Sequence, residues 1–308
     1  MASSVLPRAR TGSHAGTRAA ALAGAALLVW VMGTATAPRL AAQARGDAGA
    51  VMLRLRPHVG DTLHTRLEQQ TDVALEQHGD ANALSKLGVN IPRSVTTSVI
   101  VDSRTVVLTL LPASVLVMTI VDSAELHTSD AHGVAQVKQA EATLRGQQIV
   151  LQLAGDGTVE SARDVRGGAV SRDLASAMAS MPAVFPRRPV RVGEQWTRLL
   201  PLPSGGPLGT RGSGHVDAMF RLDSLDRSGS LAFLSVTGDI RADSTSAGVQ
   251  LSGSMAGAMQ IDRVRGWMTD SRLSVVLRSL ITPPASMGLQ PMRFTTRVTQ
   301  RLRTMDKR

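Results

Sequence analysis

Hydrophobic and polar residues alternate with period two along most of the chain beyond residue 60. Residues 63–75 place leucine, threonine, glutamine and valine at odd positions and mainly charged or amide side chains at even ones. Because successive side chains of a strand point to opposite faces, this pattern predicts a strand with one buried and one solvated face. The same alternation over 249–262 and 267–281, joined by an Arg265-Gly266 turn, predicts a long hairpin. Further strands are predicted at 94–101, 104–111, 114–122, 147–153, 158–163, 190–199, 214–223, 231–240 and 292–303.

Two segments depart from this alternation. Ser171 is a suitable helix N-cap, and Leu174, Met178 and Met181 fall on one face at helical spacing, so a helix is predicted over 171–181. Residues 80–92 are predicted to form a second, shorter amphipathic segment between two strands.

These elements predict a mainly β fold of long antiparallel strands in one or two curved sheets, forming a half-barrel or incomplete barrel. One helix near 171–181 is expected to pack on the concave side or to bridge two halves. The predicted organisation is a signal peptide (1–44), a first β half (45–168), a helical connector (169–186) and a second β half (187–308).

A short internal match supports the division into two halves. The segment from Arg56 to Leu67 resembles the segment from Arg188 to Leu199, since both contain Arg-Pro, Val-Gly followed by an acid, and Thr-Arg-Leu. Duplication of an ancestral half explains this match. Chance recurrence of a turn that feeds a strand explains it equally well.

The N-terminus has the pattern of an export signal. Arg8, Arg10 and Arg18 precede an apolar stretch at 19–37, and Ala42-Gln43-Ala44 fits a signal-peptidase site. We therefore expect export to the periplasm or the extracellular space. The alternative is an uncleaved membrane anchor, because the apolar stretch is barely long enough to span a bilayer.

Composition narrows the function. The chain has no cysteine, which excludes disulfides, a lipidated N-terminal cysteine and thiolate chemistry. Aromatic residues make up 2% and tyrosine is absent, so the base-stacking surfaces of nucleic-acid binders are not expected despite the net charge of +10. Motifs for nucleotides, metals and nucleophilic catalysis are absent, so neither a cofactor nor catalysis is expected.

Three groups of side chains are candidates for chemistry. His127, Asp130 and His132 form the densest polar cluster, which offers a zinc site for a hydrolase or, more simply, an exposed loop. An anion-binding row on one face of the last strand consists of Arg293, Arg297 and Arg301, continued by Arg303. The alternative for this row is a solvated face that discourages aggregation.

The third group is four methionines that would line a soft apolar cavity. Met178 and Met181 lie on the predicted helix, and Met255 and Met259 lie on the strand with the clearest alternation. Because methionine adapts to irregular ligands, these are the predicted ligand-binding residues. Ordinary packing of a helix on a sheet is the alternative.

Residues 187–197, the glycine-rich stretch before 214–223 and the late hairpin with Gly266-Trp267 at its turn together resemble exported bacterial β-proteins grouped as domains of unknown function. The resemblance implies an envelope location and a β-rich fold, and no catalytic residues. A looser similarity is to periplasmic lipoprotein carriers, in which a curved sheet wraps a helix over an apolar cavity.

The leading hypothesis is therefore a non-catalytic binding protein of the cell envelope that holds a lipid-like or other hydrophobic ligand. The alternative is a structural or interaction protein that binds an envelope protein or an anionic polymer. A metal-assisted hydrolase at the His127 cluster is the third.

Overall fold

The computed structural model describes residues 49–77, 94–165, 184–202, 214–242, 249–282 and 291–305. Its elements in chain order are β1 (Thr62–Gln77), β2 (Ser94–Leu110), β3 (Ser114–Thr128), α1 (Val134–Leu144), β4 (Gln148–Ala154), β5 (Val159–Asp164), β6 (Gln195–Pro201), β7 (Gly214–Leu225), β8 (Leu231–Ala242), β9 (Val249–Asp262), β10 (Trp267–Ile281) and β11 (Met292–Thr304). The strands form one 11-stranded antiparallel sheet in the order β5-β4-β3-β2-β1-β11-β10-β9-β8-β7-β6. The predicted mainly β fold is confirmed.

The sheet consists of two meanders joined through the first and last strands. β1 to β5 follow one another as neighbours, as do β6 to β11, and β1 pairs with β11 from Thr65 opposite Thr304 to Gln77 opposite Met292. The two predicted halves thus share one sheet and one buried core. The sheet does not close, because β5 and β6 are its two edges.

One face of this sheet is buried and forms the core. Leu67 lies opposite Val101 on β2 and Leu302 on β11, and all three are buried. The same row continues through Met259 and Leu234 in the second meander. A sheet that buries its own inner face must curl, so we call this inner face the concave face.

Glycines on the concave face allow the curl. A Cβ added to Gly257 would lie 2.9 Å from Leu273 Cδ1 and closer still to the backbone of β10, and Gly253 faces the same strand equally closely. At Gly238, an added Cβ would lie 2.7 Å from Val216 Cγ1 on β7. Neighbouring strands approach too closely for any side chain there, as expected where a sheet bends sharply.

Apart from the connection through α1, the described turns of the sheet all lie at one end, which we call the turn end. It comprises the turns at 58–61, 111–113, 155–158, 191–194, 226–230 and 263–266. The segment 51–57, which we call the strap, runs across this end. Val51 pairs with Val190, and Arg56 N donates to Arg265 O at 2.8 Å. Leu53 and Leu55 of the strap are buried, so the strap covers this end of the core.

The two segments of the internal match form the same turn. Gly60 and Gly193 both have a positive φ, 87° and 88°, which favours glycine. Each turn makes the same pair of backbone hydrogen bonds with the second strand of its meander: Gly60 N to Val107 O, Val107 N to Asp61 O, Gly193 N to Leu222 O and Leu222 N to Glu194 O. An irregularity in strand register follows directly after both Val107 and Leu222. The match therefore extends from sequence to hydrogen bonding, although the two meanders differ in strand number.

The described helix was not predicted from the sequence. α1 connects β3 to β4 and buries Val137 and Leu144. Segments 94–101 and 104–111, predicted as two strands, form the single strand β2. The predicted helix at 171–181 and the amphipathic segment at 80–92 lie outside the described residues.

Candidate functional site

The predicted arginine row lies on the outer face of β11, opposite acidic residues of its two neighbours. Arg293 forms an ion pair with Glu76 at 4.0 Å and Arg301 with Asp270 at 3.5 Å. Arg297 stands opposite Asp72 on β1. Arg303, next along the row, contacts Glu68. The row is thus part of a mixed-charge surface, which weakens its attraction for an external anion.

This mixed-charge surface extends across β1, β2 and β3. The Arg66 guanidinium donates to both carboxylate oxygens of Asp102, at 2.7 and 2.8 Å, and Ser123 donates to the same carboxylate at 3.0 Å. The hydrogen bond from Arg66 is the main cause that lowers the pKa of Asp102, and that from Ser123 adds to it against the opposing effect of burial. Bidentate pairs of this kind add geometric specificity to the pairing of neighbouring strands.

Replacing Asp102 with asparagine should make the stability of the fold less dependent on pH. A carboxyl group whose pKa is lowered by folding stabilises the fold above its unfolded pKa of about 3.9, and this stabilisation is lost as the pH falls through the folded value. Urea unfolding at pH 7 and near pH 2.5 would measure this. Asp102→Asn should be less stable than the wild type at pH 7 and nearly equal to it at low pH, and a deficit that is equal at both pH values would contradict the assignment.

The histidine cluster has no metal-binding geometry. His127 is exposed near the end of β3, and His132 lies in the turn before α1. Asp130 Oδ1 accepts a hydrogen bond from His132 N at 3.0 Å, so this carboxylate takes part in the turn itself. Among the residues that the structure describes, no three histidine, cysteine, aspartate or glutamate side chains form a group that could hold a metal ion.

The methionines on β9 lie on the concave face. Met255 and Met259 are both buried, with Gly257 between them. Met255 stands opposite Val275 on β10, and Met259 stands opposite Leu234 on β8. The other predicted methionines, Met178 and Met181, lie outside the described residues.

The concave face is less buried toward the end opposite the turn end. There several inward side chains of the four central strands are only half-buried, although Thr296 and Phe294 on β11 and Ser279 on β10 are buried at the same end. We call the half-buried set the concave patch. It consists of Val95 and Thr97 on β2, Thr71 and Val73 on β1, Val298 on β11, and Val275 and Leu277 on β10. In register, the row Thr97, Thr71, Val298, Val275 and Met255 crosses five strands. At about 4.8 Å between strands, this row is about 19 Å long.

A polar side chain borders the concave patch on the side that faces the turn end. Gln69, two residues before Thr71 on β1, is 6% exposed. Its amide nitrogen donates to Thr71 Oγ1 at 3.3 Å, while its Oε1 is buried and has no hydrogen-bond partner among the described residues. An unsatisfied buried acceptor costs about 1–3 kcal/mol, so it favours any bound group that donates a hydrogen bond.

The segment 184–190 links the two edges of the sheet. Phe185 N donates to Asp156 O in the β4–β5 turn at 3.3 Å, and Arg187 donates to the Asp156 carboxylate at 2.8 Å. On β6, Trp196 Nε1 donates to Val184 O at 2.8 Å, and the guanidinium of Arg198 donates to Phe185 O. Burial lowers the pKa of Arg198. These contacts hold the edge strand β6 close to the β4–β5 hairpin.

Sequence reasoning missed Gln69 and the concave patch. Alternation placed these residues on an inner face, but it carries no information on how deeply each one is buried. The threonines and the glutamine at inward positions, such as Thr71 and Gln69, were the available signal. Polar groups at inward positions are more often found at the border of a cavity than in the middle of a dry core.

Comparisons with known proteins give a family match for part of the chain. Residues 168–268 match the model of a Family of unknown function (DUF6263). This agrees with the resemblance to domains of unknown function, whereas export and the looser similarity to lipoprotein carriers stay predictions. No curated protein matches the chain. Within the described residues, no helix is long and apolar enough to cross a membrane.

Two solved structures are similar to the chain at low identity. DynF from the dynemicin biosynthesis pathway of Micromonospora chersina is 10% identical, with coverage of 84% of this chain and 88% of DynF and a TM-score of 0.23. The outer membrane protein OprG from Pseudomonas aeruginosa is 9% identical, with coverage of 82% and 99% and a TM-score of 0.12. At these TM-scores neither structure informs the function of this chain.

Proposed function

We propose that this protein is a non-catalytic binding protein that holds an apolar or amphipathic ligand on the concave face of its sheet. The supporting observation is the contrast within that face. Residues near the turn end, such as Leu67 and Val101, are fully buried, whereas Val275 and Val298 in the concave patch are only half-buried. An inward-facing apolar surface that its own core covers only in part favours a ligand.

The lining suggests the chemistry of this ligand. Val275, Leu277 and Val298 offer an apolar surface, and Met255 flanks it with an adaptable side chain. Gln69 Oε1 at the border offers an acceptor without a partner among the described residues. An amphipathic molecule with an apolar body and a hydroxyl or amide donor at one end matches both features.

The alternative function, an envelope interaction protein that uses the arginine row, has less support. Arg293 and Arg301 are paired with acids of neighbouring strands, so the row offers little net charge to an anionic polymer. The proposed setting remains the cell envelope, on the basis of the N-terminal residues and of the resemblance to exported β-proteins.

Filling the concave patch should weaken ligand binding strongly. We expect Val298→Trp to lower the affinity for the neutral apolar fluorophore N-phenyl-1-naphthylamine at least tenfold, because the indole would occupy the middle of the patch. The matched control is Thr299→Trp, which adds the same side chain to the exposed face of the same strand. Fluorescence titration measures the affinity, and circular dichroism verifies that each variant is folded.

Two results would overturn the proposal. One is that the wild type binds no probe and, when purified gently from its host, shows no ligand mass by native mass spectrometry. The other is equal weakening by Val298→Trp and Thr299→Trp, which would place the probe elsewhere on the protein.

A further inference from the structure

The turn end exposes large apolar side chains at the tips of its turns. Val59, Val192 and Val264 are 60%, 53% and 63% exposed. Leu110 and Leu111 beside the β2–β3 turn are also exposed. Neither the proposed ligand site nor the core accounts for these residues. Val59 and Val192 occupy the same position in the two matching turns, so the feature occurs once in each meander.

The acidic residues of the turn end point back into their own turns. Their carboxylates accept backbone hydrogen bonds locally: Asp61 from His58 N at 2.8 Å, Glu194 from Arg191 N at 2.8 Å, Asp226 from Leu231 N at 2.8 Å, and Asp262 from Val264 N at 2.8 Å. These acids therefore stabilise the turns, and their carboxylates accept hydrogen bonds from the backbone of the same turns.

Arginines of the strap and of the turns project outward. Arg56, Arg227 and Arg265 are exposed, and none of them forms an ion pair with a carboxylate in the part of the chain that the structure describes. Arg188 beside the second matching turn is exposed as well, although it pairs with Glu194. The turn end thus combines exposed apolar tips with outward positive charge.

We infer that the turn end docks onto the surface of an anionic lipid bilayer. Apolar side chains at this end would enter the interface between headgroups and acyl chains, and Arg56, Arg227 and Arg265 would contact lipid phosphates. The contacts involve the tips of turns, so the sheet itself would not enter the bilayer. This inference stands on the turn end alone and is independent of the ligand proposed for the concave patch.

The spacing of the tips favours a bilayer over a protein partner. Consecutive turns of a meander at one end lie two strands apart, which is about 10 Å along the sheet. The apolar tips are therefore separate points around a curled edge, interleaved with arginines. A fluid interface accepts separate points, whereas a protein interface requires a contiguous, complementary core.

The absence of cysteine from the chain makes a site-specific test direct. Val264→Cys, labelled with the environment-sensitive fluorophore NBD, should show a blue shift and at least a twofold rise in emission with phosphatidylglycerol–phosphatidylcholine vesicles. Leu199→Cys is the matched control. Leu199 is 60% exposed, nearly as much as Val264, but it lies on the outer face of β6 and not at the tip of a turn. Its label should not respond. Comparing the two labels on the whole chain separates docking of the turn end from any membrane binding by residues 19–37.

The charge requirement is tested on the labelled Val264→Cys protein. Changing Arg56, Arg227 and Arg265 together to glutamate should weaken vesicle binding at least tenfold. The control with the same change in charge alters Arg163, Arg241 and Arg278, which are exposed on strands, and should bind nearly as the parent does. Because all six positions are exposed, both proteins are expected to fold.

Several outcomes would overturn the inference. These are no response at position 264, an equal response at positions 264 and 199, or an equal response to vesicles of phosphatidylcholine alone. The NBD emission at position 264 could also change with protein concentration when no vesicles are present. That result would assign the turn end to contacts between copies of the chain instead.

Discussion

Replacing Gly266 with alanine is expected to destabilise the protein by about 2–4 kcal/mol. Gly266 has a φ of +73°, and an added Cβ would lie 2.6 Å from Leu55 N and closer still to Leu55 Cα. The obstacle is the backbone of the strap, which cannot rotate away as a side chain can. The substitution should push the strap off the turn end and expose Leu53 and Leu55. Urea unfolding followed by circular dichroism measures the loss.

The matched control is Gly60→Ala. Gly60 also has a positive φ, +87°, but an added Cβ would meet nothing within 4 Å. This variant should lose only the cost of a left-handed alanine, about 1–2 kcal/mol. Equal losses in Gly60→Ala and Gly266→Ala would show that backbone conformation alone matters and that the strap does not press on the turn.

Trp196→Ala should lower the free energy of unfolding by about 3–5 kcal/mol. The indole is buried and stacks on Phe220, with ring centroids 5.8 Å apart and an interplanar angle of 13°. Its Nε1 also donates to Val184 O. Alanine would leave a large cavity and an unpaired carbonyl at the junction between β6 and the segment 184–190. Unfolding in denaturant gives the global loss, and hydrogen exchange over 184–201 shows where the structure loosens.

Trp196→Phe separates the two contributions. Phenylalanine can still stack on Phe220 but cannot donate to Val184 O, so about 1–3 kcal/mol should be lost. We expect the increase in hydrogen exchange at 184–190 to appear in both variants, because both lack the hydrogen bond. If Trp196→Phe were as stable and as protected as the wild type, the link between the sheet edges would not depend on the indole nitrogen.

The strands were predictable because burial of one face repeats every second residue. The hairpin at 249–262 and 267–281 and its Arg265-Gly266 turn are confirmed, since long alternation and a glycine turn are local signals. The helix α1 was missed although Val137, Ala140 and Leu144 follow helical spacing, because half of its apolar residues are alanine and only Val137 and Leu144 are buried on it. β2 was divided at residues 102–103, where Asp102 lies on the outer face and is paired with Arg66.

The candidate site was only partly predictable. Sequence spacing placed Met255 and Met259 on one face of a strand, and they lie on the concave face. It also placed Arg293, Arg297 and Arg301 in one row. The acids that pair with this row come from β1 and β10, and only strand pairing brings them alongside. Sequence order does not reveal that β1 and β11 are neighbours.

Most of the strands, the apolar face of each and the glycine turns follow from local alternation, because these features depend on contacts between residues close in the chain. Long-range pairing joins the two meanders through β1 and β11 into one sheet, lays the strap across the turn end and brings Val59, Val192 and Val264 to that end. The same pairing sets which part of the inner face is only half-buried. Each of these depends on the curl of the sheet and on pairings between distant segments, which the alternation of side chains does not encode.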